Sequence, residues 1–109
     1  SAYAVSNVIT ISEVPLAPSG LTGSAVRQGK KANVTLNWVD NSLNETSFVV
    51  QRATNSAFTV GRVNTTYAAN TTSVTQTGLY RGVTYFFRVK AVNTAGSSGW
   101  SNVFSIITP

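Results

Sequence analysis

Hydrophobic and polar positions in this chain alternate with a period of two. In the most regular stretch Tyr85, Phe87, Val89 and Ala91 fall on one side, and Phe86, Arg88, Lys90 and Val92 on the other. Successive side chains of a strand point to opposite faces, so the segment reads as a strand with one buried and one wet side. The same pattern places Val34, Leu36 and Trp38 inward with Asn33, Thr35 and Asn37 outward, then Phe48 and Val50 inward with Val49 and Gln51 outward. Such runs, spaced regularly between turn signals, predict seven strands over residues 21–26, 32–38, 48–53, 58–63, 72–77, 85–92 and 102–107. Gly61 interrupts the fourth of them. No segment carries apolar residues at helical spacing. Residues 40–47 (DNSLNETS) form a polar loop of turn formers, and 93–100 (NTAGSSGW) a hairpin loop expected to be exposed and mobile. The expected fold is all-β, with two layers closed over Val34, Leu36, Trp38, Phe48, Val50, Phe87 and Val89.

Composition narrows the chemistry. The 109 residues are 42% hydrophobic and only 10% charged, a packable core under a surface of hydroxyls and amides. Cysteine and histidine are absent, which removes thiol nucleophiles, imidazole bases, Cys/His zinc sites and disulfides. The carboxylates are Glu13, Asp40 and Glu45; only the last two share a segment, a polar loop where solvation is the simpler role. Neither an enzyme nor a cofactor is expected. The net charge of +5 is spread along the chain, and only Arg27, Lys30 and Lys31 cluster, so nucleic acid is not an expected partner. No apolar run reaches membrane-spanning length and no signal peptide is read. The lack of any methionine implies a piece of a longer protein.

An internal repeat is legible at the two ends. SNVITI at residues 6–11 matches SNVFSI at residues 101–106 at Ser-Asn-Val and the final Ile, and a proline follows each. Residues 1–12 are therefore read as the last strand of a truncated preceding repeat, 13–18 as a prolyl linker, and 19–109 as the domain. The orphan strand is expected to pair with an open sheet edge of its own domain or of a neighbouring molecule.

Taken in order, several short motifs resemble the fibronectin type III domain, an immunoglobulin-like sandwich of seven strands in two antiparallel sheets. They are the proline-flanked first strand ending at Leu21, Trp38 closing the second strand, and Leu79, Gly82 and Tyr85 at a corner. The run Tyr85, Phe87, Val89, Ala91, Val92, Asn93 then leads into Gly96, Ser98 and Ser101. The stretch from Trp38 to Glu45 (WVDNSLNE) is similar to that of repeats in bacterial and archaeal extracellular proteins. Arg81 departs from the family pattern, where a proline usually precedes the glycine. The resemblance implies structural roles: Tyr85 sends its hydroxyl back toward Leu79, Trp38 fills the space between the sheets, and Gly82 relieves turn strain.

Candidate contact residues lie on the outward face of the strongest strand. Phe86, Arg88 and Lys90 offer an apolar and cationic surface, whose simpler role is cross-strand stabilisation. Trp100 either stacks on a sugar ring or folds back over Arg88 or Lys90. The SSGWS run is similar to half of the tryptophan-serine box of cytokine-receptor sandwiches, which implies the second arrangement. Asp40, Asn41, Asn44 and Glu45 make a poor calcium cage and are expected to order their loop by hydrogen bonds. Of the N-x-S/T sequons at Asn33, Asn44, Asn64 and Asn70, the one at Asn44 is expected to be the best acceptor. The resemblance as a whole implies a non-catalytic spacer or interaction module of a secreted or cell-surface protein, whose partners are neighbouring domains. The alternatives are a carbohydrate- or protein-binding accessory module of a secreted hydrolase, or an adhesin or receptor repeat.

Overall fold

The computed structural model describes residues 13–109. Residues 1–12, with their expected strand pairing, lie outside the described residues. The strands are β1 (Ser19–Gln28), β2 (Lys31–Val39), β3 (Ser47–Ala53), β4 (Val63–Ala68), β5 (Ser73–Leu79), β6 (Thr84–Asn93), β7 (Gly96–Ser97) and β8 (Phe104–Ile107). They form two antiparallel sheets, one ordered β1-β2-β5 and the other β4-β3-β6-β7, with β8 also paired to β6.

Alternation decides what each strand buries. Val34 and Leu36 of β2, Phe48 and Val50 of β3, and Phe87, Val89 and Ala91 of β6 are fully enclosed, joined by Leu21, Trp38, Leu79 and Tyr85. Register stacks them: Phe48 lies opposite Ala91, and Val50 opposite Val89. Each such large side chain removed from water stabilises the fold by roughly 1.5–3 kcal/mol. The first sheet is drawn in tightly where β1 passes β2. A Cβ at Gly23 would press into the Thr35 carbonyl and touch Phe104 and Leu36, so this position tolerates no side chain.

Two expectations are corrected. The fourth strand is Val63–Ala68, not residues 58–63. Residues 54–62 instead fold around Asn55, whose side-chain carbonyl accepts from the Thr59 and Val60 amides. Phe58 and Gly61 both adopt positive φ, which breaks an extended run there. The hairpin loop after β6 is also less exposed than expected. Ser98 and Ser101 are buried, and their hydroxyls accept from the Ala91 and Val89 amides. Their own amides donate to the Ala91 and Val89 carbonyls, so the segment runs beside β6 without regular pairing. The expected seventh strand, residues 102–107, starts at Phe104 as β8, and the expected loop holds the short β7. Asn102 then ties this edge to the other sheet, accepting from the Leu21 amide and donating to the Leu21 carbonyl.

The corner before β6 is held by Tyr85. Its hydroxyl accepts from the Tyr80 amide at 2.9 Å while its ring is buried. Gly82 sits in this turn at a φ of 69°, which favours glycine, and its amide donates to the Thr108 carbonyl. Arg81, in place of the family's proline, donates from Nε to the Pro109 carbonyl. Tyr85→Phe keeps the ring and orphans the Tyr80 amide, so a loss of about 0.5–1.5 kcal/mol is expected. Urea unfolding of the two proteins checks this; equal midpoints would show that the corner contributes nothing through its hydroxyl.

The loops collect at two poles. At one, Asn44 and Asn93 both donate to the Glu13 carbonyl, and Asn70 donates its amide to Glu45. At the other, the β1–β2 turn lies beside the Tyr80–Gly82 turn, with Lys31 Nζ 4.0 Å from the Tyr80 ring centroid and Pro109 held by Arg81. Nine residues of β2 separate the poles, about 30 Å at the rise of an extended strand. No helix among the described residues is long and apolar enough to cross a membrane.

Candidate contact surface

The outward face of the β3–β6 pair is built around Arg88. Register sets Arg88 opposite Gln51, and Lys90 opposite Val49. Gln51 Oε1 accepts from both Nε and Nη2 of Arg88, while Gln51 Nε2 donates to Asn64 Oδ1 on β4. This polar ladder explains why Gln51 is buried on a face that should be wet. The guanidinium carbon of Arg88 lies 4.2 Å from the Phe58 ring centroid and 4.3 Å from the Trp100 centroid. Lys90 Nζ reaches to 4.9 Å from the same Trp100 centroid. Aromatic faces carry negative charge density, so both cations are attracted to the indole. Burial first, and repulsion from Arg62 second, lower the Arg88 pKa from its ordinary value. An arginine stays protonated under all physiological conditions even so.

Trp100 and Phe86 are half-buried, and Phe86 faces Ala53 and Ser105 on the flanking strands. Sequence reasoning placed Arg88, Lys90 and Trp100 together, since two residues of one strand face sit beside the hairpin that follows. It missed Phe58, and it gave Gln51 as an outward residue of the neighbouring strand without its bonds to Arg88. Phe58 stood in a presumed strand, and a lone aromatic among NSAFTVG was the available signal for a loop anchored by its ring. Trp38, Tyr85, Leu79 and Gly82 occupy the core and corner rather than this surface.

The polar loop at the Glu13 pole is ordered by its own side chains. Asp40 Oδ1 accepts from the Ser42 amide, and Glu45 Oε2 from the Asn70 amide. Glu45 Oε1 is buried without a partner among the described residues. Among the described residues no group of three acidic, histidine or cysteine side chains is placed to hold a metal. Asn44, expected to be the best acceptor, is half-buried with its amide bonded to Ser42 and Glu13; Asn64 and Asn70 are the exposed ones.

Comparison with known proteins places this geometry. A family model described as Fibronectin type III domain matches residues 16–107. No curated protein sequence matches the chain. The third fibronectin III domain of human KIAA0343 protein superposes with a TM-score of 0.71 at 14% identity, covering 100% of this chain and 94% of that one. The FN5 domain of Drosophila Lar gives 0.68 at 16% identity, with 88% and 98% covered. The chicken CNTN1 FN1–FN3 structure gives 0.72 at 16% identity over 86% of this chain, which spans only 32% of that one. At these identities the structural likenesses carry the fold alone. The family model, the two-sheet topology and the tyrosine corner agree, and the chain belongs to the fibronectin type III family.

Proposed function

We propose that the chain is a non-catalytic spacer and interaction module, one repeat of a tandem array in a secreted or cell-surface protein. The observation that carries this reading is the position of the two ends. Glu13 is held at one pole by Asn44 and Asn93, and Pro109 at the other by Arg81, so neighbours attach at opposite ends of the domain. In this reading residues 1–12 close a preceding repeat and 13–18 are the connection. The partners are neighbouring domains of the same polypeptide, and neither nucleic acid, membrane insertion nor a cofactor has a part.

The half-exposed Trp100 and Phe86 favour a second reading, a carbohydrate- or protein-binding accessory module of a secreted hydrolase, or an adhesin or receptor repeat. A sugar stacking on indole surface that Arg88 or Lys90 covers would displace contacts of about 0.5–1 kcal/mol each at an exposed site. That cost favours the spacer. Affinity electrophoresis through soluble polysaccharides tests the choice. The chain is expected to migrate unretarded, and Trp100→Ala to change nothing. Retardation by one polymer that Trp100→Ala abolishes would establish the binding module instead.

A further inference from the structure

Charge is segregated along the long axis of the domain. Glu13, Asp40 and Glu45, the only side-chain carboxylates of the chain, all stand at the pole where the described chain begins. Arg27, Lys30, Lys31 and Arg81 stand at the pole where it ends. Of the remaining cations, Arg52, Arg88 and Lys90 lie along the second sheet, and Arg62, in the loop before β4, is near enough to repel Arg88. The Asp40 and Glu45 carboxylates accept from neutral backbone amides, bonds that leave their negative charge in place. About 30 Å of strand separates the poles. Charges are screened over about 8 Å at physiological salt, so neither pole neutralises the other within one molecule.

Apolar surface follows the same division. The acidic pole carries a groove of about 350 Å³ lined by Val14, Leu16 and Leu43 with Glu13, Asn41 and Asn44. Leu43 is fully exposed and Leu16 largely so. The basic pole presents Tyr80 and Ile107, each about two-thirds exposed. One pole is an open apolar groove lined by Glu13, with Asp40 next in sequence to its Asn41 wall, and the other an aromatic turn edged by cations.

We propose that copies of this chain dock head to tail, the Tyr80–Arg81 turn and Lys30 of one copy entering the Leu16–Leu43 groove beside Glu13 and Asp40 of the next. This deepens the spacer reading and rests on it, because the internal repeat sets the geometry. Aligning SNVITI with SNVFSI puts Glu13 and Val14 where Thr108 and Pro109 stand. The basic pole grips that stretch through Gly82 and Arg81, and the acidic pole grips Glu13 through Asn44 and Asn93. In a tandem array both grips fall on adjacent residues of the junction, which brings the facing poles of consecutive repeats together. A contact of this heterologous kind does not close on itself and extends into a row.

The test uses the 109-residue chain, followed by sedimentation velocity and amide chemical shifts as concentration rises into the millimolar range. At low salt, mass is expected to grow with concentration, with shifts confined to Lys30, Tyr80 and Arg81 and to Glu13, Leu16 and Leu43. Moving to 0.5 M salt is expected to weaken the association about tenfold or more. Lys30→Glu, whose side chain makes no hydrogen bond among the described residues, and Arg81→Glu are each expected to abolish it, and mixing either with Glu13→Lys to restore a two-chain complex. Shifts at the Arg88 face, association indifferent to salt, or no association at millimolar concentration would each overturn the docking. None of these outcomes touches the polysaccharide experiment, so the spacer reading stands or falls separately.

Discussion

Replacing Trp38 by alanine is expected to cost the domain about 3–5 kcal/mol, the range for emptying a large aromatic from a close-packed core. The indole is 4% exposed, tilted against Phe48 at 5.6 Å between centroids, and lies where β2 meets the loop carrying Asp40. Domains of this size hold roughly 5–15 kcal/mol in total, so the variant is left marginal. A fall in the urea midpoint with an unchanged slope would register the loss cleanly. Trp38→Phe isolates the contribution of the ring. The indole Nε1 is buried with no partner among the described residues, and phenylalanine, like alanine, removes that donor but keeps much of the ring. Its cost is expected to be well below that of alanine. Both variants remove the donor, so equal costs would mean that the ring kept by phenylalanine contributes nothing to the core.

Phe58→Ala is the second large loss expected, again about 3–5 kcal/mol. Phe58 is 1% exposed yet holds a φ of 55°, a backbone conformation costing roughly 1–2 kcal/mol for a residue with a side chain. Its ring lies across Arg88, opposite in kind to the core behind it. Alanine keeps the strained backbone and loses the ring that offsets it, so little is recovered. Because Arg88 also touches Trp100, the near-ultraviolet circular dichroism of the indole is expected to change in the folded variant. A drop under about 1 kcal/mol with an unaltered Trp100 signal would show that the ring merely covers the surface.

These two residues mark what the sequence could and could not reveal. Trp38, with Val34 and Leu36, is legible because one strand with one buried face imposes a strict period of two. The same holds for β3 and β6, whose bounds the structure extends by a residue at one or both ends. β4 was misplaced because Phe58 and Val60 advertise a strand, whereas Asn64, Thr65 and Thr66 form it. What selects them is register against β3, a partner remote in sequence. Ser98 and Ser101 were hidden for a related reason: serines beside glycines signal a loop, and only the β6 amides turn them into buried acceptors. On the candidate surface, Trp100 over Arg88 and Lys90 follows from neighbours along the chain. Phe58 completes it from the loop between β3 and β4, where local spacing says nothing, and Gln51 from β3, where alternation gives the outward face but not the bonds to Arg88.

Asn102 gives the fold a response to tension. The chain enters β1 at one pole and leaves β8 at the other, so a pull on the two ends draws these strands along their own lengths in opposite directions. Force then loads the β1–β2 ladder and the β6–β8 ladder in shear, with their hydrogen bonds strained together instead of parting one by one. The paired amide bonds of Asn102 to Leu21 span the seam between the two sliding strands and must rupture before either moves.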